Sequence, residues 1–281
     1  MIMASIHLSF TRYLQNIISK ETPILVLHGL FGSKRHWNIF CRSLNIRTRR
    51  SLIALDLRNH GESPHGSPHN YEAMANDVVE FIGSQRLGSV VLLGHSMGAK
   101  TCMAVALTYP TLVESMILLD NAPVHTSVDP TLVNYIEQMQ VVQRACVKNK
   151  KDADRLLQAS VEDANVRHFL LSNLVQYGDH WQFKIPLNIL GQSLQHIAGF
   201  PFEGTYSGRT LFIRGSKSRY VLDSYLSTIR KFFPNSQVVT LDAGHWVHVD
   251  QREETLRSIE AFLQYTLNSD DTLLNNGGLD N

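Results

Sequence analysis

The pentapeptide Gly94-His95-Ser96-Met97-Gly98 joins the apolar run Val90 to Leu93 to a segment of helical periodicity. A serine on a sharp strand-to-helix turn, flanked by glycines so that the turn packs tightly, has its hydroxyl raised off the sheet end where it can attack a carbonyl. Serine is a weak nucleophile at neutral pH and needs a base within hydrogen-bond reach. Among 13 histidines, His245 is the best placed. Asp242-Ala243-Gly244-His245-Trp246 follows the last apolar run and precedes the last helical pattern, and Gly244 permits a turn that swings the ring over the sheet. His248 is the alternative. The stretch Gly94 to Thr101 is not a phosphate-binding loop, because Ala99 separates Gly98 from Lys100 and the glycine spacing is wrong. Gly29-Leu30-Phe31-Gly32-Ser33-Lys34 fails the same test.

The base needs a carboxylate to hold it in one tautomer. The commonest site for that acid is the loop beyond Thr210 to Arg214, but Gly215-Ser216-Lys217-Ser218-Arg219-Tyr220 holds no carboxylate. Asp120 ends the neighbouring run in Leu118-Leu119-Asp120-Asn121-Ala122-Pro123, from which it can reach under the histidine. Asp120 is assigned as the acid, with Asp223 the runner-up. Asp56 and Asp242 also end apolar runs and read as turn or cap carboxylates. An oxyanion hole needs two amides aimed at the developing charge. Met97, after the nucleophile, supplies one; Leu30, in His28-Gly29-Leu30-Phe31-Gly32, supplies the other, with Phe31 the alternative. Two groups could be read as metal ligands: His245, His248 and Asp250, and His60, His65 and His69. Neither has a metalloprotease or deaminase spacing, and no metal and no cofactor are expected.

These residues need a scaffold that brings strand ends together. Ile24 to His28, Leu52 to Leu57, Val90 to Leu93, Met116 to Leu119, Thr210 to Ile213 and Gln237 to Leu241 are apolar on both faces, as central strands of a covered parallel sheet are. Helical periodicity lies between them at Tyr71 to Gln85, Ala99 to Thr108, Tyr220 to Phe232 and Glu253 to Tyr265. The pattern predicts an α/β fold with a mostly parallel, doubly wound sheet. Ser5 to Tyr13 alternates as a half-buried strand does. Between Ala122 and Gly208 the alternation stops: Thr131 to Lys148, Asp152 to Ser160 and Asn165 to Val175 favour helix, and no strand is expected. The domain organisation is therefore a core of residues 1–122 and 209–267, a helical cap insertion over 123–208, and a disordered tail at 268–281.

Length and charge exclude other classes. The chain has 281 residues, with Lys+Arg 26 against Asp+Glu 25, so no concentrated basic surface for nucleic acid is expected. No run of about 18 apolar residues exists to span a membrane, and Met1 to Lys20 lacks the apolar stretch of a secretory signal. Three cysteines, an odd number widely spaced, argue for a reducing compartment.

Taken together, HGLFGS at His28 to Ser33, DLRNHGESPH at Asp56 to His65, GHSMG at Gly94 to Gly98, LLDNAPV at Leu118 to Val124 and DAGHW at Asp242 to Trp246 resemble the α/β-hydrolase superfamily. They are most similar to its small esterase branch, which includes bacterial acyl-ester and thioester hydrolases, mitochondrial abhydrolase-domain proteins and fungal ethanol acetyltransferases. The likeness runs from Ser5 to Tyr265. It implies an α/β-hydrolase fold, an acid after the sixth strand, and a serine hydrolase of small acyl esters or thioesters. It also implies an alcohol acetyltransferase as the alternative, and a mitochondrial rather than cytoplasmic address. A silent hydrolase fold that only binds a partner is the rival reading.

Overall fold

The computed structural model describes residues 5–14 and 21–274. In chain order its strands are β1 (Phe10–Tyr13), β2 (Ile24–Leu27), β3 (Leu52–Leu55), β4 (Val90–His95), β5 (Val113–Leu119), β6 (Leu174–Tyr177), β7 (His180–Phe183), β8 (Arg209–Gly215) and β9 (Ser236–Leu241). Seven of them form one sheet in the order β1-β3-β2-β4-β5-β8-β9. Only the edge pair β1–β3 is antiparallel; every other pair runs parallel, as the continuous apolar runs require.

Successive residues of the central strands point to opposite faces. Leu25, Leu27, Leu92, Met116, Leu118 and Phe212 pack on one side with helices Tyr71–Ser84 and Met97–Thr108. Ile24, Val26, Val91, Leu93, Ile117 and Ile213 pack on the other, against Trp37, Phe40, Leu44, Leu256 and Ile259. The two faces hold a rigid row of strand ends, and the parallel order brings the C-terminal ends of β2, β4, β5 and β8 to one edge. Neighbouring strand ends at that edge are where ligands bind in such sheets.

The segment between β5 and β8 carries helices Pro130–Arg144, Lys150–Gln158, Ala164–Leu171, Leu187–Gln192 and Leu194–Ala198. Side-chain caps start the first three: Asp129, Asn149 and Asp163 each accept a hydrogen bond from a first-turn amide. The sequence-based expectation of helix over Asn165 to Val175 is corrected here. The helix ends at Leu171, and β6 and β7 pair as an antiparallel hairpin with Tyr177 opposite His180. Its two-residue turn opens on Gly178 at φ 59°, the positive angle that glycine adopts without strain. Gly178-Asp179 between runs rich in Val, Tyr, Trp and Phe is the signal that a reading of helical period alone passes over.

Lys100 fastens this segment at both ends. From helix Met97–Thr108 its buried ammonium donates to the carbonyls of Val124 (2.9 Å), Ala198 (3.1 Å) and Gly199 (3.0 Å). Tyr71 adds a hydrogen bond to Ile197 O at 2.8 Å. The last helix spans Arg252–Leu274 and so runs into the region expected as tail from Asn268; residues 275–281 of that tail lie outside the described residues. Among the described residues no helix is long and apolar enough to cross a membrane.

Candidate active site

Ser96 sits between β4 and helix Met97–Thr108 at φ 54°, ψ −117°, a conformation costly for any residue with a Cβ. The surrounding packing enforces it. A Cβ on Gly94 would stand 2.4 Å from Gly98 O, and one on Gly98 would stand 2.3 Å from Leu27 O. Both positions must be glycine for the turn to fit between β2 and its own helix. The Ser96 amide donates to Leu119 O at 3.0 Å, which ties the turn to the end of β5. Its hydroxyl makes no hydrogen bond among the described residues and is partly exposed.

Asp120 follows directly at the end of β5, fully buried and at φ 51°. Its Oδ2 lies 2.7 Å from His245 Nδ1. Gly215 N–H donates to Oδ1 at 3.0 Å, and the Ser218 hydroxyl makes a short hydrogen bond to Oδ2. Three donors therefore converge on one buried carboxylate. With Nδ1 bonded to the carboxylate, His245 has Nε2 left to act as a base.

His245 is held from several sides. Tyr220 stacks on it with ring centroids 4.0 Å apart and planes inclined by 23°. The backbone carbonyl of His245 meets His95 Nε2 at 3.0 Å. Gly215 lets the two loops approach, since a Cβ there would stand 2.1 Å from Gly244 O.

The alternatives to these residues are engaged elsewhere. Asp223 is 83% exposed and paired with Arg214 at 2.6 Å, so it does not approach the imidazole. His248 lies flat against Trp37, with centroids 4.5 Å apart, and burial pushes its pKa down to about 3. Asp56 accepts from Lys34 N at 2.6 Å and from Glu62 N at 2.8 Å, and pairs with the Lys34 ammonium, which makes it a buried loop anchor. Asp242 pairs with Lys217 at 2.9 Å on the surface.

On the opposite side of Ser96 lies the loop after β2. A Cβ on Gly29 would come within 3.1 Å of both Ser96 Cβ and His95 Nδ1, so this loop rests on the serine turn. The Phe31 amide donates to His60 Nε2 at 3.1 Å and is not available to a ligand. The Leu30 amide donates to no group among the described residues. Met97 opens its helix, where an N–H has no intrahelical acceptor. Two unengaged amides thus flank Ser96, and the carbonyl of an ester seated between them would be polarised as bond formation proceeds.

Sequence reasoning missed the supports of the acid and base. Gly215 ends β8 and Ser218 lies in the loop after it, a stretch the sequence marks only by its lack of a carboxylate, and Tyr220 ends it. A loop that holds hydroxyls and a glycine where an acid is usual is the signal that it serves a carboxylate elsewhere.

Residues 22–251 match the family model described as alpha/beta hydrolase fold. An abhydrolase domain-containing protein of Schizosaccharomyces pombe is 36% identical, over 94% of this chain and 99% of that protein. The sn-1-specific diacylglycerol lipase ABHD11 of Mus musculus is 39% identical over 85% of this chain and 80% of that one. Ethanol acetyltransferase 1 of Wickerhamomyces anomalus is 31% identical over 89% and 70% respectively. Among solved structures, a marine microorganism esterase superposes with a TM-score of 0.83 at 30% identity, covering 94% of this chain and 99% of that one.

Proposed function

The chain belongs to the alpha/beta hydrolase fold family and is a carboxylic ester hydrolase of it, and we propose that it forms its acyl-enzyme on Ser96. The observation that carries the proposal is the conjunction of Ser96 at φ 54° with His245 Nδ1 2.7 Å from the buried Asp120. In this reading His245 Nε2 takes the proton of the Ser96 hydroxyl as its oxygen attacks the acyl carbonyl. The Leu30 and Met97 amides take up the charge on the tetrahedral oxygen. His245 then gives its proton to the departing alkoxide or thiolate, leaving the acyl group on Ser96. In the second half it activates the acceptor that cleaves that ester.

The acyl groups we propose are small, carried by an alcohol or a thiol. Water as acceptor makes the protein a hydrolase. An alcohol acceptor would use the same residues, and the likeness to ethanol acetyltransferases at 31% identity favours keeping acetyl transfer as the second reading. Residues 123–208 are, in this account, the cap that decides which acceptor enters, set on a core of 1–122 and 209–267. The mitochondrial address is part of the same proposal; a fluorescent fusion that fills the cytoplasm would overturn it.

The test is product analysis on acetyl-thioester, with and without ethanol, with Ser96→Ala as control. Free acetate, insensitive to ethanol, supports the hydrolase. Ethyl acetate as the main product supports the transferase. Neither product, from a protein that also ignores a serine-reactive phosphonate, would mean a silent scaffold.

A further inference from the structure

The peptide unit that would face the oxyanion is gripped from behind. Gly29 O, on the same peptide as the Leu30 N–H, accepts from Gly32 N at 2.9 Å and lies 2.8 Å from His28 Nδ1. His28 Nε2 accepts the Leu57 amide at 3.0 Å, so the ring proton sits on Nδ1 and donates to Gly29 O. In a trans peptide the N–H points opposite to the C=O, so these two donors turn the Leu30 amide away from themselves, on a loop that rests on the serine turn.

The next residue is strained and held on both sides. Phe31 is buried and has φ 63°, which a residue with a Cβ adopts only under constraint. Its N–H is held by His60 Nε2 at 3.1 Å, while His60 Nδ1 donates to Arg58 O at 2.9 Å. Its C=O is held by Asn173 Nδ2 at 2.9 Å. His28 and His60 belong to the core, but Asn173 lies in the 123–208 segment, in the bend between helix Ala164–Leu171 and β6, and is only 7% exposed. Its neighbours seat the same bend on the core. Ser172 Oγ meets His36 Nε2 at 3.0 Å, and Phe169 packs between His36 and Trp246, with ring centroids 5.1 Å and 5.5 Å away. A single short element therefore touches the oxyanion loop on one side and the residue after His245 on the other.

We propose that Asn173 is a positioning residue that couples seating of the 123–208 segment to the oxyanion hole. Its amide keeps the Phe31 carbonyl, and through it the strained Leu30-Phe31 turn, in the geometry that aims the Leu30 amide at the reacting carbonyl. The inference rests on the reading of Ser96 as nucleophile and Leu30 as an oxyanion donor.

The experiment compares wild type, Asn173→Ala, Asn173→Leu and Asn173→Gln, each checked for folding by thermal unfolding. Turnover of nitrophenyl acetate and nitrophenyl butyrate and the rate of phosphonate labelling are read. Asn173→Leu keeps the size and removes the donor without adding a charge, and it stands in for Asn173→Ala if that variant does not fold. A misaimed oxyanion donor should lower kcat by about 10- to 100-fold, less than outright loss of such a donor. KM should stay within about threefold and labelling should slow by the same factor as kcat, equally for both esters, with Asn173→Gln recovering part of the rate. Wild-type labelling rates in folded Asn173→Leu, or a loss confined to KM, would overturn the inference while leaving the nucleophile reading intact. Failure of wild type itself to label would overturn both.

Discussion

Asp120 accepts a hydrogen bond from the Gly215 amide at 3.0 Å, so the end of β8 supports the carboxylate proposed as the acid instead of carrying one. The carboxylate has moved one strand inward, to the end of β5. The outer loop has become its socket, with Ser218 as a second donor and His245 as the third partner.

That relocation sets the first prediction. Asp120→Asn should cut kcat by about 10³- to 10⁴-fold, because the amide favours the wrong imidazole tautomer. Asp223→Asn should leave kcat within about twofold, since the Asp223 carboxylate is exposed and paired with Arg214. Steady-state hydrolysis of an acetate ester by both variants decides; the reverse pattern would put the acid at Asp223.

The serine turn predicts a backbone effect. In Gly98→Ala the new methyl meets Leu27 O, where an ideal Cβ stands only 2.3 Å away, and the neighbour is backbone that cannot rotate aside. A loss of about 2–4 kcal/mol in stability, together with most of the activity, is expected from forced strain in the core. Urea unfolding with an unchanged m-value would measure it. Gly83→Ala, at a helical position open to solvent, serves as the neutral comparison.

A pH dependence of stability follows from the buried histidines. His28, His60, His69 and His95 are buried, and desolvation lowers each pKa, that of His69 to about 3. Below the ordinary histidine value near 6.5 the unfolded chain binds protons that the folded chain refuses. Stability is then full above about pH 6.5 and is lost as pH falls, at up to about 1.4 kcal/mol per pH unit for each such ring. Thermal unfolding between pH 7 and pH 4 should show a steep fall in Tm. His69→Gln should reduce the proton uptake on unfolding by close to one. A flat profile would contradict the neutral, acceptor-bearing imidazoles that the loops require.

Lys100 predicts how the 123–208 segment is attached. Lys100→Met keeps the stem and removes the donor to Val124, Ala198 and Gly199, and among the described residues only the Ala198 carbonyl of the three keeps another donor, Thr126 N. Limited proteolysis should then cut within 123–208 several-fold faster while the core resists. Unchanged cleavage would mean that apolar packing alone holds the segment down.

The central strands, and Ser96 and His245 as candidates, were legible in the sequence because each lies in a contiguous signal: apolar run, glycine-framed turn, helical period. Asp120 was legible by elimination, through the empty loop at Gly215 to Tyr220. What supports the site was less so. The contacts of Ser218 with Asp120, Tyr220 with His245 and Asn173 with Phe31 join residues far apart in the chain, and no local pattern encodes them. The β6–β7 hairpin carried its own signal in Gly178-Asp179, hidden because the flanking strands have four residues each, too short for an alternation to register. The helix Asn38–Thr48 went unread for another reason: its arginines and polar residues dilute the apolar stripe of Phe40, Cys41 and Leu44.

The central claim is that the acyl-enzyme forms on Ser96. The most direct measurement is intact-mass and peptide mapping of the protein after brief exposure to a fluorophosphonate, with Ser96→Ala and His245→Ala treated alongside. The account predicts one adduct per chain, carried by the peptide that contains Ser96, absent in Ser96→Ala and slower to form by at least about 10³-fold in His245→Ala. An adduct on another residue, or ester turnover that survives in Ser96→Ala, would contradict it.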